Sequence, residues 1–118
     1  ETVDPKAPTV ILIHNMWGSH KTMHRHEKYF NSLGLNTVSF NLVRGSRSED
    51  PSPFRGIQRF KFTYLLWMEQ ITDVLNFISG PKYIFSFSGP SLSGLIAAHD
   101  RRDVAAYICD GGPFEHVW

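Results

Sequence analysis

Apolar residues in this chain come in short blocks set apart by polar, Gly- and Pro-containing stretches, and the blocks alternate between two periods. Thr9-Val10-Ile11-Leu12-Ile13-His14 is a continuous β-branched run, which predicts a strand buried on both faces. Ser19 is placed to cap a helix reaching Leu33, with Met23, His26, Phe30 and Leu33 on one stripe and Gly34 as the stop. Thr37 to Val43 predicts a second strand, and the Ser-, Pro- and charge-rich Arg44 to Gly56 a long loop. Phe60 to Ile78 has helical spacing, with Tyr64, Trp67, Ile71, Val74, Leu75 and Ile78 on a broad apolar stripe. Its early residues are strongly aromatic, which allows a start as late as Tyr64, and Gly80-Pro81 ends it. Lys82 to Phe87 predicts a third strand, Ser91 to His99 a third helix, and Val104 to Cys109 a fourth strand that leaves through Asp110-Gly111-Gly112-Pro113.

Strands alternating with helices require right-handed crossovers. The fold class is therefore α/β, a parallel four-stranded sheet with helices on both faces, over residues 9–118. Glu1 to Pro8 reads as an arm. In such sheets ligands bind beyond the carboxyl ends of the strands. The loops at His14–Ser19, Arg44 onward, Ser88–Ser91 and Asp110–Pro113 then share one edge.

Composition narrows the function classes. At 118 residues, with 42% hydrophobic and 19% charged residues, the chain is one soluble globular domain by content. A net charge of +1 gives no electrostatic case for nucleic acid. No stretch approaches the roughly 18 apolar residues of a membrane span. Cys109 is the single cysteine, so no internal disulfide forms and the redox compartment stays open.

The chemistry concentrates in Phe85-Ser86-Phe87-Ser88-Gly89-Pro90-Ser91-Leu92-Ser93-Gly94. An apolar run leads into small residues and a second apolar run follows. The pattern reads as a strand, a tight turn carrying Ser91, and a helix, the layout of a nucleophile elbow G-x-S-x-G with Ser93 in place of the second glycine. Small neighbours are needed because a serine on so sharp a turn sits on strained backbone. The alternative is an ordinary strand–loop–helix junction with Ser91 as a helix cap. His20, His24 and His26 have spacings that touch on metal ligation, but no carboxylate or cysteine pattern supports a metal site.

With the first loop added, the chain resembles the N-terminal half of an α/β-hydrolase. His14-Asn15-Met16-Trp17-Gly18 is similar to that family's H-G-x-x-G loop, and Gly89-Pro90-Ser91-Leu92-Ser93-Gly94 to its elbow. Both follow a strand and precede a helix, in the family's order. The resemblance implies Ser91 as nucleophile and the backbone N–H groups of Leu92 and Met16 as the oxyanion hole. Asn15, standing for a glycine, is a further candidate donor, and His14 a loop anchor. The family's histidine base and usual acid lie later in the fold than this chain reaches, so they are expected from a portion absent from it. Asp110 is a candidate acid, as in the pancreatic-lipase type, against a plain turn-stabilising role. His116 is the only histidine downstream of it. Trp17, Phe54, Phe60 and Trp67 frame an acyl pocket or simply pack; packing is the commoner fate of such aromatics.

The resemblance thus implies part of a serine esterase, lipase or related acyl hydrolase, acting on a small-molecule acyl substrate without a cofactor. A second reading is a non-catalytic α/β-hydrolase-like module that binds a ligand, a complementing chain or a second copy of itself, since an uncovered sheet edge invites pairing. A third is a flavodoxin-like phosphate binder using Ser88 to Ser93, which the lack of a lysine and of a G-x-G-x-x-G pattern there disfavours.

Overall fold

The structure is a computed structural model and describes residues 1–15, 18–42 and 56–111, with the backbone alone for 56–62. Four strands alternate with helices: β1 (Thr9–Ile13), a 3-10 turn (His20–Met23) running into α1 (His24–Ser32), β2 (Asn36–Ser39), α2 (Gly56–Phe77), β3 (Lys82–Phe87), α3 (Pro90–Ala98) and β4 (Val104–Asp110). The sheet order is β2-β1-β3-β4 and every pairing is parallel. The expected α/β architecture is present, with helices on both faces.

The two faces have separate cores. Ile11, Ile13 and Ile84 point to one side and meet Trp67, Ile71 and Leu75 of α2, with Ala97, Ala98 and Tyr107 packed against them. Val10 and Leu12 point to the other and meet Met23, with Phe30, Tyr83, Phe85 and Phe87 around them. All five β1 residues are buried, as a central parallel strand requires. Val104 to Asp110 keeps only partial cover, because among the described residues it stands at the edge of the sheet.

Three boundaries differ from the periodicity. β2 stops at Ser39 because its pairing with β1 ends there, so Phe40 to Leu42 run on without a ladder. Val43 lies outside the described residues, as does most of the expected Arg44–Gly56 loop. α2 begins at Gly56, so the aromatic residues ahead of Tyr64 are helical after all. On α1, Leu33 is exposed and Met23 alone on the expected stripe is fully buried, because the helix gives way at Ser32 to a turn ending in Gly34, φ 83°. Ser19 caps as expected, but what it opens is the 3-10 turn; α1 itself starts at His24, behind Met23, with no side-chain cap. Ser19 accepts from Lys21 N–H and, with Thr22, completes a reciprocal cap.

The N-terminal arm lies along the outer edge of β2. Thr37 N–H donates to the Glu1 carbonyl at 2.9 Å. Asn36 Oδ1 accepts from Val3 N–H at 2.6 Å, and Asn36 Nδ2 donates to the Asp4 carbonyl at 2.7 Å.

Candidate functional site

Strand order reverses between β1, whose other neighbour is β2, and β3, whose other neighbour is β4. In an open parallel sheet that switch point leaves a crevice beyond the carboxyl ends of the two central strands. Ile13 pairs with Ser86, so Asn15 and Ser88 each stand two residues further along, at the mouth of the crevice. Phe87 pairs with Asp110, and Ser88 N–H donates to the Asp110 carbonyl at 3.1 Å. The topology therefore gathers Asn15, Ser88 and Asp110, all exposed, at the same edge.

The strained residue is Ser88 and not Ser91. Ser88 has φ 58°, a conformation that costs an ordinary side chain roughly 1–2 kcal/mol. It is the hinge on which the chain leaves β3 and enters α3. Gly89 follows in helical conformation, φ −53° and ψ −49°, directly ahead of Pro90. A residue before proline is normally pushed out of that region by contact with the proline ring. Glycine has no Cβ to clash, and here a Cβ would also fall 2.9 Å from the Tyr64 hydroxyl oxygen. Pro90 then opens the helix, where its missing N–H is no loss.

Ser91 is the correction this geometry forces. It lies inside α3, with 0% of its surface exposed, and its hydroxyl has no partner among the described residues. Its N–H donates to the Ser88 carbonyl at 3.1 Å. Leu92 likewise cannot serve an oxyanion as expected, because its N–H donates to the Gly89 carbonyl at 3.2 Å. The amide following the true hinge is that of Gly89, which makes no hydrogen bond among the described residues. Ser93 does not merely stand in for a glycine: its hydroxyl donates to the Tyr64 carbonyl at 2.9 Å and ties α3 to α2. Met16 and Trp17, the expected donor and substrate contact, lie outside the described residues, as do His116 and Phe54. Trp67, 1% exposed, belongs to the core.

His14 anchors the first loop. It is buried, and Leu42 N–H donates to its Nε2 at 3.0 Å. Nε2 is therefore the unprotonated nitrogen, and Nδ1–H donates to the Asn15 carbonyl. Burial holds the imidazole pKa below its ordinary value, the Asn15 bond opposes this in part, and nearby His20 lowers it further. Both nitrogens are committed and the ring is neutral, so His14 is no base for Ser88.

A tyrosine that periodicity did not single out supports the hinge. Ser86 Oγ donates to the Tyr107 hydroxyl at 2.9 Å, and Tyr107 Oη donates to the Ser91 carbonyl. One hydroxyl thus joins β3, β4 and the first turn of α3. Burial pushes the Tyr107 pKa up to about 12. Gly94 makes room for it: a Cβ there would sit 2.7 Å from Tyr107 Oη and 3.1 Å from Ile13 Cδ1. The alternation of β4 gave the only hint of this role, since Tyr107 is on its inward face.

An apolar groove of about 360 Å³ runs between α2 and α3, lined by Tyr64, Leu65, Met68, Leu92, Ser93 and Ile96. Among the described residues no group of three or more metal-ligating side chains comes together. His20, Lys21, His24 and Glu27 line only an open surface cleft.

Fold and site together define a parallel α/β protein with an exposed serine on a left-handed strand-to-helix turn at the sheet's switch point. Among known protein families and curated proteins, none matches this chain.

Proposed function

We propose that the chain is part of a serine hydrolase of the esterase, lipase or acyl-hydrolase type, with Ser88 as the nucleophile in the place first given to Ser91. The single observation that carries this is Ser88 itself: an exposed serine at φ 58° on the strand-to-helix turn, followed by an uncommitted amide. Strain of this kind is kept where it positions a reacting group. Ser88 Oγ attacks an ester-type carbonyl, and an acyl-enzyme forms as the alcohol leaves. Gly89 N–H donates to the oxyanion, and the loop after Asn15, with Met16, supplies the second donor. Two such donors matter because losing one typically raises the barrier by about 3 kcal/mol. Asp110, whose backbone carbonyl accepts from Ser88 N–H, is the candidate acid of this reading.

A serine hydroxyl needs a base to be a nucleophile at neutral pH. Among the described residues no hydrogen bond reaches Ser88 Oγ, so the base comes from outside them. Asn15 has its own interaction within the fold, and its side chain is assigned no donor role.

The test is a fluorophosphonate probe followed by peptide mass spectrometry. The expected adduct is on Ser88; Ser88→Ala abolishes it and Ser91→Ala leaves it intact. An adduct on Ser91, or none on the folded protein with its base in place, overturns the proposal and leaves the non-catalytic reading.

A further inference from the structure

Tyr64 brings a hydroxyl to the hinge from a different helix. A Cβ built on Gly89 would fall 2.9 Å from Tyr64 Oη and 3.8 Å from Cζ, so the phenol meets Gly89 with its oxygen foremost. Gly89 is helical, and on helical backbone the Cα–Cβ direction tilts toward the N-terminus. The hydroxyl therefore stands on the N-terminal side of Gly89, the side that its own free N–H faces. Three features hold the ring there. It packs edge-to-face on buried Trp67, with centroids 5.2 Å apart and planes at 75°. The Tyr64 carbonyl accepts from Ser93 Oγ at 2.9 Å. Gly89 carries no side chain to push the phenol away. A partly buried tyrosine hydroxyl ordinarily finds a partner within the fold. This one has none among the described residues, and burial holds its pKa above the ordinary tyrosine value. It is thus a protonated donor at neutral pH, fixed in place and unused.

We propose that Tyr64 is a catalytic residue of the Ser88 site, its phenol O–H donating to the oxyanion beside Gly89 N–H. The inference rests on the hydrolase reading and adds to it a donor carried by α2. The start of α3 is short of amides for this task. Pro90 has no N–H, and those of Ser91 and Leu92 are bonded to the Ser88 and Gly89 carbonyls. Gly89 N–H alone is left, and the phenol makes up the number. When Ser88 Oγ adds to the acyl carbonyl, the π pair moves onto the carbonyl oxygen. Gly89 N–H meets that oxygen from the helix end and Tyr64 O–H from the α2 side. The phenol keeps its proton throughout, and the pair returns to re-form the carbonyl as the alcohol leaves. A donor aimed where charge develops acts on the transition state more than on the bound ester. The arrangement also accounts for glycine at position 89, since any side chain would fill the space in which phenol and amide converge.

The test is Tyr64→Phe, which removes the oxygen and keeps both the ring on Trp67 and the backbone bond to Ser93. The folded protein with its base in place is given the fluorophosphonate probe, p-nitrophenyl acetate and a trifluoromethyl ketone, with circular dichroism to check folding. The parent is expected to take the probe on Ser88. In Tyr64→Phe the labelling rate and kcat should fall about 100-fold while KM moves by less than about twofold. The ketone, which binds as a tetrahedral oxyanion, should lose affinity about 100-fold. Labelling and ketone affinity at the parent level in Tyr64→Phe overturn the inference and leave the hydrolase reading standing. So does a loss confined to KM, which marks a contact made equally in ground and transition states. No labelling of the parent overturns the hydrolase reading and this inference with it. Should Tyr64→Phe not fold, replacing Tyr64 by fluorotyrosine, a more acidic donor of nearly the same shape, should raise kcat at neutral pH; a kcat equal to the parent's overturns the inference.

Discussion

Tyr107→Phe isolates the hydroxyl that joins β3, β4 and α3. At neutral pH the change strands Ser86 Oγ, which is wholly buried and has Tyr107 as its acceptor. A buried polar group left unmatched costs about 1–3 kcal/mol, and the lost bond to the Ser91 carbonyl adds to this, so about 2–3 kcal/mol is expected. Ser86→Ala in the same background removes the stranded group, and the double variant is expected to be more stable than Tyr107→Phe alone. The same hydroxyl has a pH signature. Its pKa is about 12 in the folded chain against 10.0 for free tyrosine. The unfolded chain therefore loses this proton first. The contribution is whole below about pH 10 and gone above about pH 12, worth roughly 2–3 kcal/mol over that window. Urea denaturation from pH 7 to the alkaline limit reads both effects. The parent protein should lose stability above pH 10 more steeply than Tyr107→Phe. Equal slopes, or a neutral-pH change under about 0.5 kcal/mol with no recovery from Ser86→Ala, would refute the reasoning.

Four further substitutions probe the frame of the site. Ser91→Ala removes a buried hydroxyl without a partner and adds a better helix former, so chemical denaturation should show stability unchanged or raised by about 1 kcal/mol. Gly94→Ala pushes a methyl group against Tyr107 Oη and Ile13 Cδ1; a thermal melt should show a loss of about 1–3 kcal/mol, part of it recovered in the Tyr107→Phe background. Lys82 is 2% exposed and bonded to Asp103 Oδ2 and the Gly80 carbonyl, both at 2.8 Å. Asp103→Ala leaves that ammonium buried without its carboxylate and should cost about 3 kcal/mol in urea titration, whereas Lys82→Met should cost under about 1 kcal/mol. Arg101 and Lys82 hold the Asp103 carboxyl well below its usual range, so the parent protein should keep this contribution down to about pH 4 and lose it only under stronger acid.

Sheet and helices were legible because burial imposes its period on the residues themselves. β1 is buried on both faces and reads as an unbroken apolar run. Trp67, Ile71 and Leu75 recur at helical spacing because α2 lies along that face. The limits of β2 and α2 were less legible, since neither is set by periodicity. β2 ends where its partner ends, and α2 reaches back to Gly56 through residues whose composition gives no cap. The arm on β2 was also hidden: Asn36 receives and donates across more than thirty positions of chain, and nothing in Glu1 to Pro8 marks it as an edge cover.

The three-residue error at the hinge has a physical cause. From Ser86 to Gly94 nearly every position is small, so several registers of a strand–turn–helix fit the same string. The G-x-S-x-G spacing favoured Ser91, but two constraints outside that spacing decide otherwise. β3 is held in step with β4 up to Phe87 and Asp110, and Ser88 N–H makes the last bond of that ladder, so the turn cannot begin earlier. Pro90 falls on the next donor position of that ladder and has no N–H to give, so the strand cannot run on to Ser91. Between a ladder ending at Ser88 and a helix opening at Pro90 only one residue is free to reverse the chain before Gly89 turns helical. Proline position was in the sequence and should have outweighed the serine spacing; the ladder's end depends on a partner strand more than twenty residues away. Moving Pro90 is the direct check. Pro90→Ala removes the fixed start while keeping a good helix former, so the helix frays toward Gly89 and the strain at Ser88 relaxes. Probe labelling at Ser88 should then fall while global stability changes by less than about 1 kcal/mol. Labelling that survives at the parent rate would mean that the ladder alone holds the hinge.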